Sequence, residues 1–204
     1  MTLLRNALLL GLSAVTLSAA FAADIKAITE DGRRVILGGD GRWSFDNAQP
    51  PGASRQPLSE SPFRPTVKGY SVNFDTTKWT LSAPDKNEAA NRRTFRHRTL
   101  PLYAMVVSDE IPATSEIVRN VIVANAKSAG GDPKVLADDT KSLRGKDVGM
   151  MRMLVSLNGL DFVFSTAYYG DQRGNIQVMC WTGQSLFFKY QADCQAFVEG
   201  LAIE

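Results

Sequence analysis

The chain has 204 residues, with 23 lysines and arginines against 21 aspartates and glutamates, a net charge of +2 and one histidine. A charge this close to neutral argues against a general nucleic-acid-binding surface, which needs a clear excess of basic residues. The length suits one main domain with a real core, accompanied at most by a small appendage.

The first 22 residues predict a secretory signal peptide. A basic start at Arg5 is followed by a short apolar run, which ends at Ala20-Phe21-Ala22, and this is the order of a cleaved leader. The alternative is an uncleaved membrane anchor, but a spanning helix needs roughly 20 apolar residues and this run is shorter. We therefore expect cleavage before Ala23, a periplasmic or secreted mature chain, and no membrane span after removal of residues 1–22.

Residues 23–45 predict a small β-hairpin unit. Asp-Gly pairs at 31–32 and 40–41 separate three short β-prone runs, and such pairs are typical of tight hairpin turns. The pattern Glu-Asp-Gly-Arg, Val, Leu and Asp-Gly-x-Trp resembles the start of small exported bacterial proteins of unknown role. A unit this short buries little by itself, so it packs either on the main domain, which we favour, or on a partner.

Residues 46–66 predict a linker, because they hold five of the nine prolines together with several serines. Such a composition favours an extended, poorly packed segment. We therefore place the main domain at residues 67–204.

Within this domain the sequence predicts alternating strands and two helices. Tyr70, Val72 and Phe74 recur with the period of a half-buried strand. Trp79 and Leu81 follow on a second short strand or bend, and another strand is expected over 94–107. A helix is expected from Thr114 or Ser115 to the glycines at 130–131. Next come strands at about 134–142, 147–157, 160–169 and 175–182, with a hairpin turn at 158–159. A C-terminal helix is predicted from the apolar stripe Phe187, Tyr190, Cys194, Phe197 and Leu201.

This order of elements carries a family resemblance. The strand at 70–74 is closely followed by Trp79, then come a long strand, one helix, a Leu143-Arg144-Gly145 turn, an antiparallel meander and a last helix. The segment from about 70 to 201 resembles the Mog1/PsbP-like family of α+β domains. The resemblance implies an antiparallel sheet sandwiched by helices, in a family whose members are mostly binding or assembly factors.

The two cysteines, Cys180 and Cys194, can pair in an oxidising compartment. The alternative is a pair of buried free thiols, which behave as small apolar side chains. Because the leader indicates export, we predict a disulfide between the last long strand and the terminal helix.

Two groups of residues are candidate ligand contacts. Arg92, Arg96 and Arg98 would share one strand face, and guanidinium groups match phosphate, sulfate or carboxylate oxygens. The alternative is a solvated face whose charges discourage edge-to-edge pairing. Tyr168 and Trp181, on adjacent predicted strands, either line a ligand groove or lie on the sheet face beneath the helices.

The sequence offers no recognisable catalytic or metal site. His97, the only histidine, lies among arginines without an orienting acid, so we expect an ordinary surface or edge role. One histidine and two pairing cysteines argue against zinc, and the acidic pairs at 109–110 and 138–139 lack calcium-loop spacing. We expect no cofactor and no bound metal.

The function expected from the sequence is that of an exported, non-enzymatic envelope protein, a binding or assembly factor for a macromolecular partner, most simply another protein. The alternatives are a small anionic-ligand-binding protein, which would use Arg92, Arg96, Tyr168 and Trp181, or a hydrolase whose site the sequence does not reveal.

Overall fold

The computed structural model describes residues 25–28, 34–38, 42–45, 62–83 and 89–204. The predicted signal peptide, its cleavage site before Ala23 and residues 46–61 of the predicted linker lie outside the described residues.

Three short strands form the N-terminal unit. β1 (Ile25–Ile28), β2 (Arg34–Leu37) and β3 (Trp43–Phe45) pair antiparallel in that order. The predicted small β unit is confirmed as a three-stranded sheet. Its Trp43 side chain is 63% exposed.

The main domain is built on a seven-stranded antiparallel sheet and a two-stranded ribbon. In chain order its elements are β4 (Tyr70–Val72), β5 (Trp79–Leu81), β6 (Arg92–His97), β7 (Tyr103–Asp109), α1 (Ser115–Ser128), β8 (Asp132–Leu143), β9 (Lys146–Leu157), β10 (Leu160–Asp171), β11 (Gly174–Gly183), α2 (Gln184–Val198) and β12 (Leu201–Ile203). The large sheet has the order β5-β6-β7-β11-β10-β9-β8, and β4 pairs with β12. The predicted α+β class is confirmed.

Two-residue turns connect β8, β9 and β10. Arg144 and Gly145 have φ values of 50° and 80°, and Asn158 and Gly159 have φ values of 52° and 76°. Two consecutive positive φ values are typical of the type I′ turn, whose twist matches that of paired strands. Asparagine and glycine tolerate this conformation, which explains why the hairpin predicted at Asn158-Gly159 is present.

α1 packs on one face of the sheet. The Thr114 hydroxyl accepts a hydrogen bond from the Ile117 amide at 3.3 Å and so caps the helix as predicted. Val118 and Ile122, one turn apart, are buried and pack with Met151 of β9. The helix therefore lies over the strands toward the β8 edge.

α2 packs on the opposite face, over an aromatic cluster. The Phe197 ring, 1% exposed, has its centroid 4.6 Å from that of Trp79 and 5.3 Å from that of Phe95. The structure pairs Cys180 of β11 with Cys194 of α2 in a disulfide, as predicted, with their Cα atoms 5.4 Å apart. Both cysteines are fully buried, so the bond lies inside the core.

The single strand predicted over 94–107 is wrong, because the structure has two strands, β6 and β7, joined by a turn. Pro101 cannot donate a hydrogen bond to a strand ladder. The Nδ1 atom of His97 accepts hydrogen bonds from the amides of Thr99 and Leu100 at 3.2 and 3.1 Å. These two features close the turn at 98–102.

The prediction that Leu201 lies on the helical stripe is also wrong. α2 ends at Val198, and Leu201 lies in β12, where it pairs with Val72 of β4. Gly200 makes the change of direction, because a Cβ atom there would collide with the carbonyl oxygen of Asn73.

Residues 62–66, which the sequence places in the linker, pack with the main domain. Phe63 forms a β-bridge with Val72, and its ring centroid lies 5.4 Å from that of Phe95. The packed unit therefore includes Phe63.

Candidate functional site

Of the three candidate arginines, the structure places two on one strand face. Arg92 and Arg96 are exposed on β6, while Phe95, between them, is fully buried toward α2. Alternation along the strand therefore directs both guanidinium groups away from α2. Arg98 lies beyond the end of β6, and its Nε donates to the carbonyl oxygen of Thr76 at 3.1 Å, so it is not part of this face.

Arg96 begins a row of side chains that crosses four strands. The register pairs Arg96 with Tyr103, Tyr103 with Trp181, and Trp181 with Phe164. The Arg96 Cζ atom lies 6.0 Å from the Tyr103 ring centroid. The rings of Tyr103 and Trp181 stack at 5.9 Å, and those of Trp181 and Phe164 at 5.5 Å. The row is continuous from β6 to β10.

This row lies at the protein surface. Tyr103 is 40% exposed, and Trp181 and Phe164 are half-buried. Stacking fixes the ring orientations, while the exposed edges remain available for contact. Large exposed aromatic side chains in a cluster mark interaction sites more often than isolated apolar residues do.

α1 carries two exposed apolar side chains on the side that faces away from β8. Arg119 forms an ion pair with Asp138 of β8, so the side of the helix that carries Arg119 is the β8 side. Ile117 and Val121 project from the other side and are 54% and 41% exposed. We use the name aromatic surface for Arg96, Tyr103, Phe164 and Trp181.

Tyr168, predicted as a groove residue, lies beneath α1. It is 6% exposed and packs with Val118 and Ile122, and its hydroxyl donates to Asp138 at 2.8 Å. Burial, together with this hydrogen bond, raises the pKa of Tyr168 well above its usual value. Tyr168 therefore joins the helix to the sheet, and the structure does not bring it together with Arg92 or with the exposed row.

His97 is buried and serves the turn between β6 and β7. Its ring is 5% exposed and lies edge-on to Trp79, with centroids 5.1 Å apart. Burial lowers the pKa of His97, so the ring is neutral at pH 7. Nδ1 is occupied by two backbone amides, and Nε2 has no hydrogen-bond partner among the described residues. The sequence had predicted a surface or edge position, and the structure instead makes His97 part of the core.

Within the described parts of the chain, no group of three or more His, Cys, Asp or Glu side chains is placed to hold a metal ion. Among these described residues, no helix is long and apolar enough to cross a membrane.

Tyr103 is the surface residue that sequence reasoning missed. It lies within the strand predicted over 94–107, and its neighbours Leu102 and Ala104 are core residues. Its role depends on Arg96 and Trp181, which lie on other strands. The local signal for its exposure is strand alternation, which places Tyr103 on the opposite face from Leu102 and Ala104.

Comparison with known proteins addresses the fold. No protein-family model and no curated protein sequence matches the chain. The solution structure of cyanobacterial PsbP (CyanoP) from Synechocystis sp. PCC 6803 matches with a TM-score of 0.53 and 11% identity, covering 71% of this chain and 92% of that chain. The chain has a Mog1/PsbP-like fold. At this identity the similarity establishes the fold alone.

The chain is also similar to a second solved structure, with a lower score. The crystal structure of LpqN, described as involved in cell envelope biogenesis of Mycobacterium tuberculosis, has a TM-score of 0.39 and 12% identity, and the match covers 73% of this chain and 92% of LpqN.

Proposed function

We propose that the protein is an exported, non-enzymatic binding or assembly factor of the cell envelope, and that it holds a protein partner on the aromatic surface. Three features support this proposal. Residues 1–22 have the pattern of a secretory leader, the disulfide suits an oxidising compartment, and the aromatic surface is an exposed apolar region on an otherwise well-packed sheet.

The aromatic surface is the observation that carries the proposal. Tyrosine and tryptophan are enriched where interfaces concentrate their binding energy, because they bury a large area and retain a polar group. Tyr103 and Trp181 are already stacked, so little side-chain entropy is lost when a partner covers them. Cys180 precedes Trp181 and ties β11 to α2, which holds that strand in place.

The charges beside the row indicate the chemistry of the partner. Arg92 and Arg96 are exposed on β6, at the end of the row where Tyr103 is exposed. A complementary partner surface carries aliphatic side chains that cover the rings and carboxylates that face the arginines. Charges at the rim of such an interface contribute more to orientation and association rate than to affinity.

Affinity capture with the mature protein as bait, from an envelope extract, tests this proposal. Tyr103→Ser should lower the free energy of unfolding by only about 1–2 kcal/mol, since a stacked and partly exposed ring is lost, but should weaken capture about 10- to 100-fold, as at an interface hot spot. The matched control is Ile111→Ser, since Ile111 is 67% exposed and lies outside the aromatic surface.

A protein that is captured by the wild type and by Ile111→Ser, but not by Tyr103→Ser, supports the proposal. Equal capture by all three proteins contradicts it. The alternative of a small anionic ligand held by Arg92, Arg96, Tyr168 and Trp181 has less support, because Tyr168 is covered by α1 and its hydroxyl is bound to Asp138.

A further inference from the structure

The turn at 98–102, between β6 and β7, is closed by a histidine that must be neutral. The Nδ1 atom of His97 accepts hydrogen bonds from the amides of Thr99 and Leu100 at 3.2 and 3.1 Å. A ring nitrogen that accepts a hydrogen bond carries no proton, so in this conformation the proton is on Nε2. Protonation of Nδ1 would set an N–H group against two other N–H groups, and both hydrogen bonds would be lost.

The surroundings of His97 do little to stabilise a charged ring. The residue is 5% exposed, and Nε2 is buried without a hydrogen-bond partner among the described residues. Burial is the largest influence and lowers the pKa of His97, while Asp193 of α2 and Asp75 raise it and Lys78 lowers it. Asp193 and Lys78 form an ion pair at 2.9 Å, so their charges largely offset each other. The effect of burial therefore prevails.

The same turn adjoins the aromatic surface. It joins the two strands that carry Arg96 and Tyr103, which lie opposite each other in the register. The Thr182 hydroxyl donates to the Pro101 carbonyl oxygen at 2.8 Å, which attaches the turn to β11 directly after Trp181. A change in the turn therefore alters the spacing of the exposed side chains on three neighbouring strands.

We propose that protonation of His97 regulates the aromatic surface, an inference that rests on the partner-binding role proposed above. A proton on Nδ1 releases the amides of Thr99 and Leu100, the turn opens, and Tyr103 moves away from Trp181. The protein then holds its partner at neutral pH and releases it in acid.

The direction of this pH dependence follows from burial. Protonation is less favourable in the folded protein than in the unfolded chain, so the pKa of His97 is lower in the folded state. The stabilising contribution of the neutral ring is complete above the unfolded value of about 6.5 and is lost as the pH falls through the lower folded value. The chain has one histidine, and no other type of side chain ordinarily titrates in this range.

NMR spectroscopy of the untagged mature protein, from neutral pH down to about pH 4.5, tests the turn without any partner. At neutral pH the His97 ring should carry its proton on Nε2. As the ring is protonated, the Thr99 and Leu100 amides should lose about 10-fold or more of their protection from hydrogen exchange. The Tyr103 signals should shift with the same midpoint. A protonated ring with both amides still protected, an unchanged Tyr103 signal, or global unfolding before the ring is protonated would overturn the inference.

His97→Asn is the matched variant. The asparagine side-chain oxygen can take the place of Nδ1 as an acceptor for the two amides, but the amide group does not titrate in this range. Capture of the partner by the wild type should be about 5- to 10-fold weaker at about pH 5 than at neutral pH, a change typical of two coupled equilibria. Capture by His97→Asn should be the same at both pH values.

The two measurements separate this inference from the proposed function. If the wild type captures no partner at neutral pH, the proposed function fails, while the NMR titration still decides whether protonation opens the turn. Capture by the wild type that does not change with pH contradicts the inference, and so does an equal pH dependence in the wild type and His97→Asn. If His97→Asn does not fold, agreement between the midpoint of wild-type capture and that of the His97 ring supports the inference, and disagreement overturns it.

Discussion

The two faces of the large sheet are covered to different extents. On the α2 face, the helix, β4, β12 and Phe63 enclose a core that runs from Trp79 to Val148. On the α1 face, the described helix covers the strands toward β8, while Tyr103 of β7 remains 40% exposed. Strand β7 therefore has side chains in both environments: Tyr103 is exposed on the α1 face, and the next residue, Ala104, is fully buried on the α2 face.

This difference separates the residues that hold the fold together from those available for recognition. Aromatic rings on the α2 face, such as Phe95 and Phe197, interlock out of reach of solvent. Rings on the α1 face, such as Tyr103 and Trp181, stack at the surface. A substitution on the first face should therefore change stability, and one on the second should change binding.

The largest expected effect is at the centre of the α2 face. Phe197→Ala should lower the free energy of unfolding by about 3–5 kcal/mol, as is typical for an aromatic side chain removed from a packed core. Urea-induced unfolding, followed by tryptophan fluorescence, measures this loss.

A matched pair controls for helix packing in general. Val198 on α2 and Val118 on α1 are 0% and 2% exposed, and Val→Ala at either position should cost about 2 kcal/mol. If Val118→Ala proved more costly than Phe197→Ala, the α2 face would not be the main source of stability.

Removal of the disulfide should have the next largest effect. In the chain-entropy model, closing a loop of about 15 residues contributes about 3 kcal/mol, and Cys180 and Cys194 are 14 positions apart. The double substitution Cys180→Ala with Cys194→Ala should destabilise the protein by this amount. Two free thiols in non-reducing mass mapping of the native protein would contradict the pairing.

Local signals in the sequence predicted the elements that depend on neighbouring residues. The Thr114 cap and the Asn158-Gly159 turn act over two to four residues, so they could be read without knowledge of the fold. The break after His97 was missed although Pro101 was visible, because the apolar run at 102–107 dominated the pattern.

The candidate site was only partly predictable for a physical reason. Arg96 and Trp181 were identified from residue type, but they become neighbours only through Tyr103 and the pairing of three strands. Tyr168 has the same residue type as Tyr103, yet the path of α1 buries it. Long-range register and helix placement are set by the whole fold, and a single sequence does not display them.

The N-terminal unit and the main domain are proposed to be structurally separable, and Phe63, at the edge of the α2 face, decides where the main domain begins. We propose that a truncated chain beginning at Pro62 folds by itself. A chain beginning at Thr66 also lacks Phe63, whose ring meets Phe95, and should be less stable than the longer one by about 2 kcal/mol, since a partly buried aromatic side chain is lost.

Calorimetry of the two truncated chains beside the mature protein measures these differences. A lower melting temperature for the chain beginning at Pro62 than for the mature protein indicates that residues 23–45 dock on the main domain. Equal melting temperatures for those two proteins would exclude docking, and failure of the Pro62 chain to fold would exclude separability.

The smallest expected effect on stability concerns a polar contact at the end of the α2 face. Asp171 accepts hydrogen bonds from the Tyr70 hydroxyl at 2.8 Å and from the Arg173 guanidinium group at 2.7 and 3.0 Å. Burial alone would raise the pKa of Asp171, but these hydrogen bonds more than offset it, so the pKa lies below its usual value. Asp171→Asn should cost about 1–2 kcal/mol at pH 7, allowing for solvent screening of the half-exposed arginine.

The stability difference between the wild type and Asp171→Asn should depend on pH, in a direction set by the lowered pKa of Asp171. Because the pKa of Asp171 is lower in the folded than in the unfolded protein, its stabilising contribution is complete above the unfolded value of about 3.9 and is lost as the pH falls below it. The difference in stability between the wild type and Asp171→Asn should therefore shrink below about pH 4. A difference that stays constant into that acidic range would show that the charge of Asp171 is not involved.

The pairing of β4 with β12 places the two ends of the main domain side by side. Tyr70 lies opposite Ile203, the Glu204 amide donates to the Gly69 carbonyl oxygen at 2.9 Å, and Arg64 forms an ion pair with Glu204 at 2.8 Å. The first and last residues of the main domain therefore lie close together in space. We therefore expect that a circularly permuted order, with residue 204 joined to residue 62 and new ends at Asn158 and Gly159, keeps every strand pairing described for the main domain.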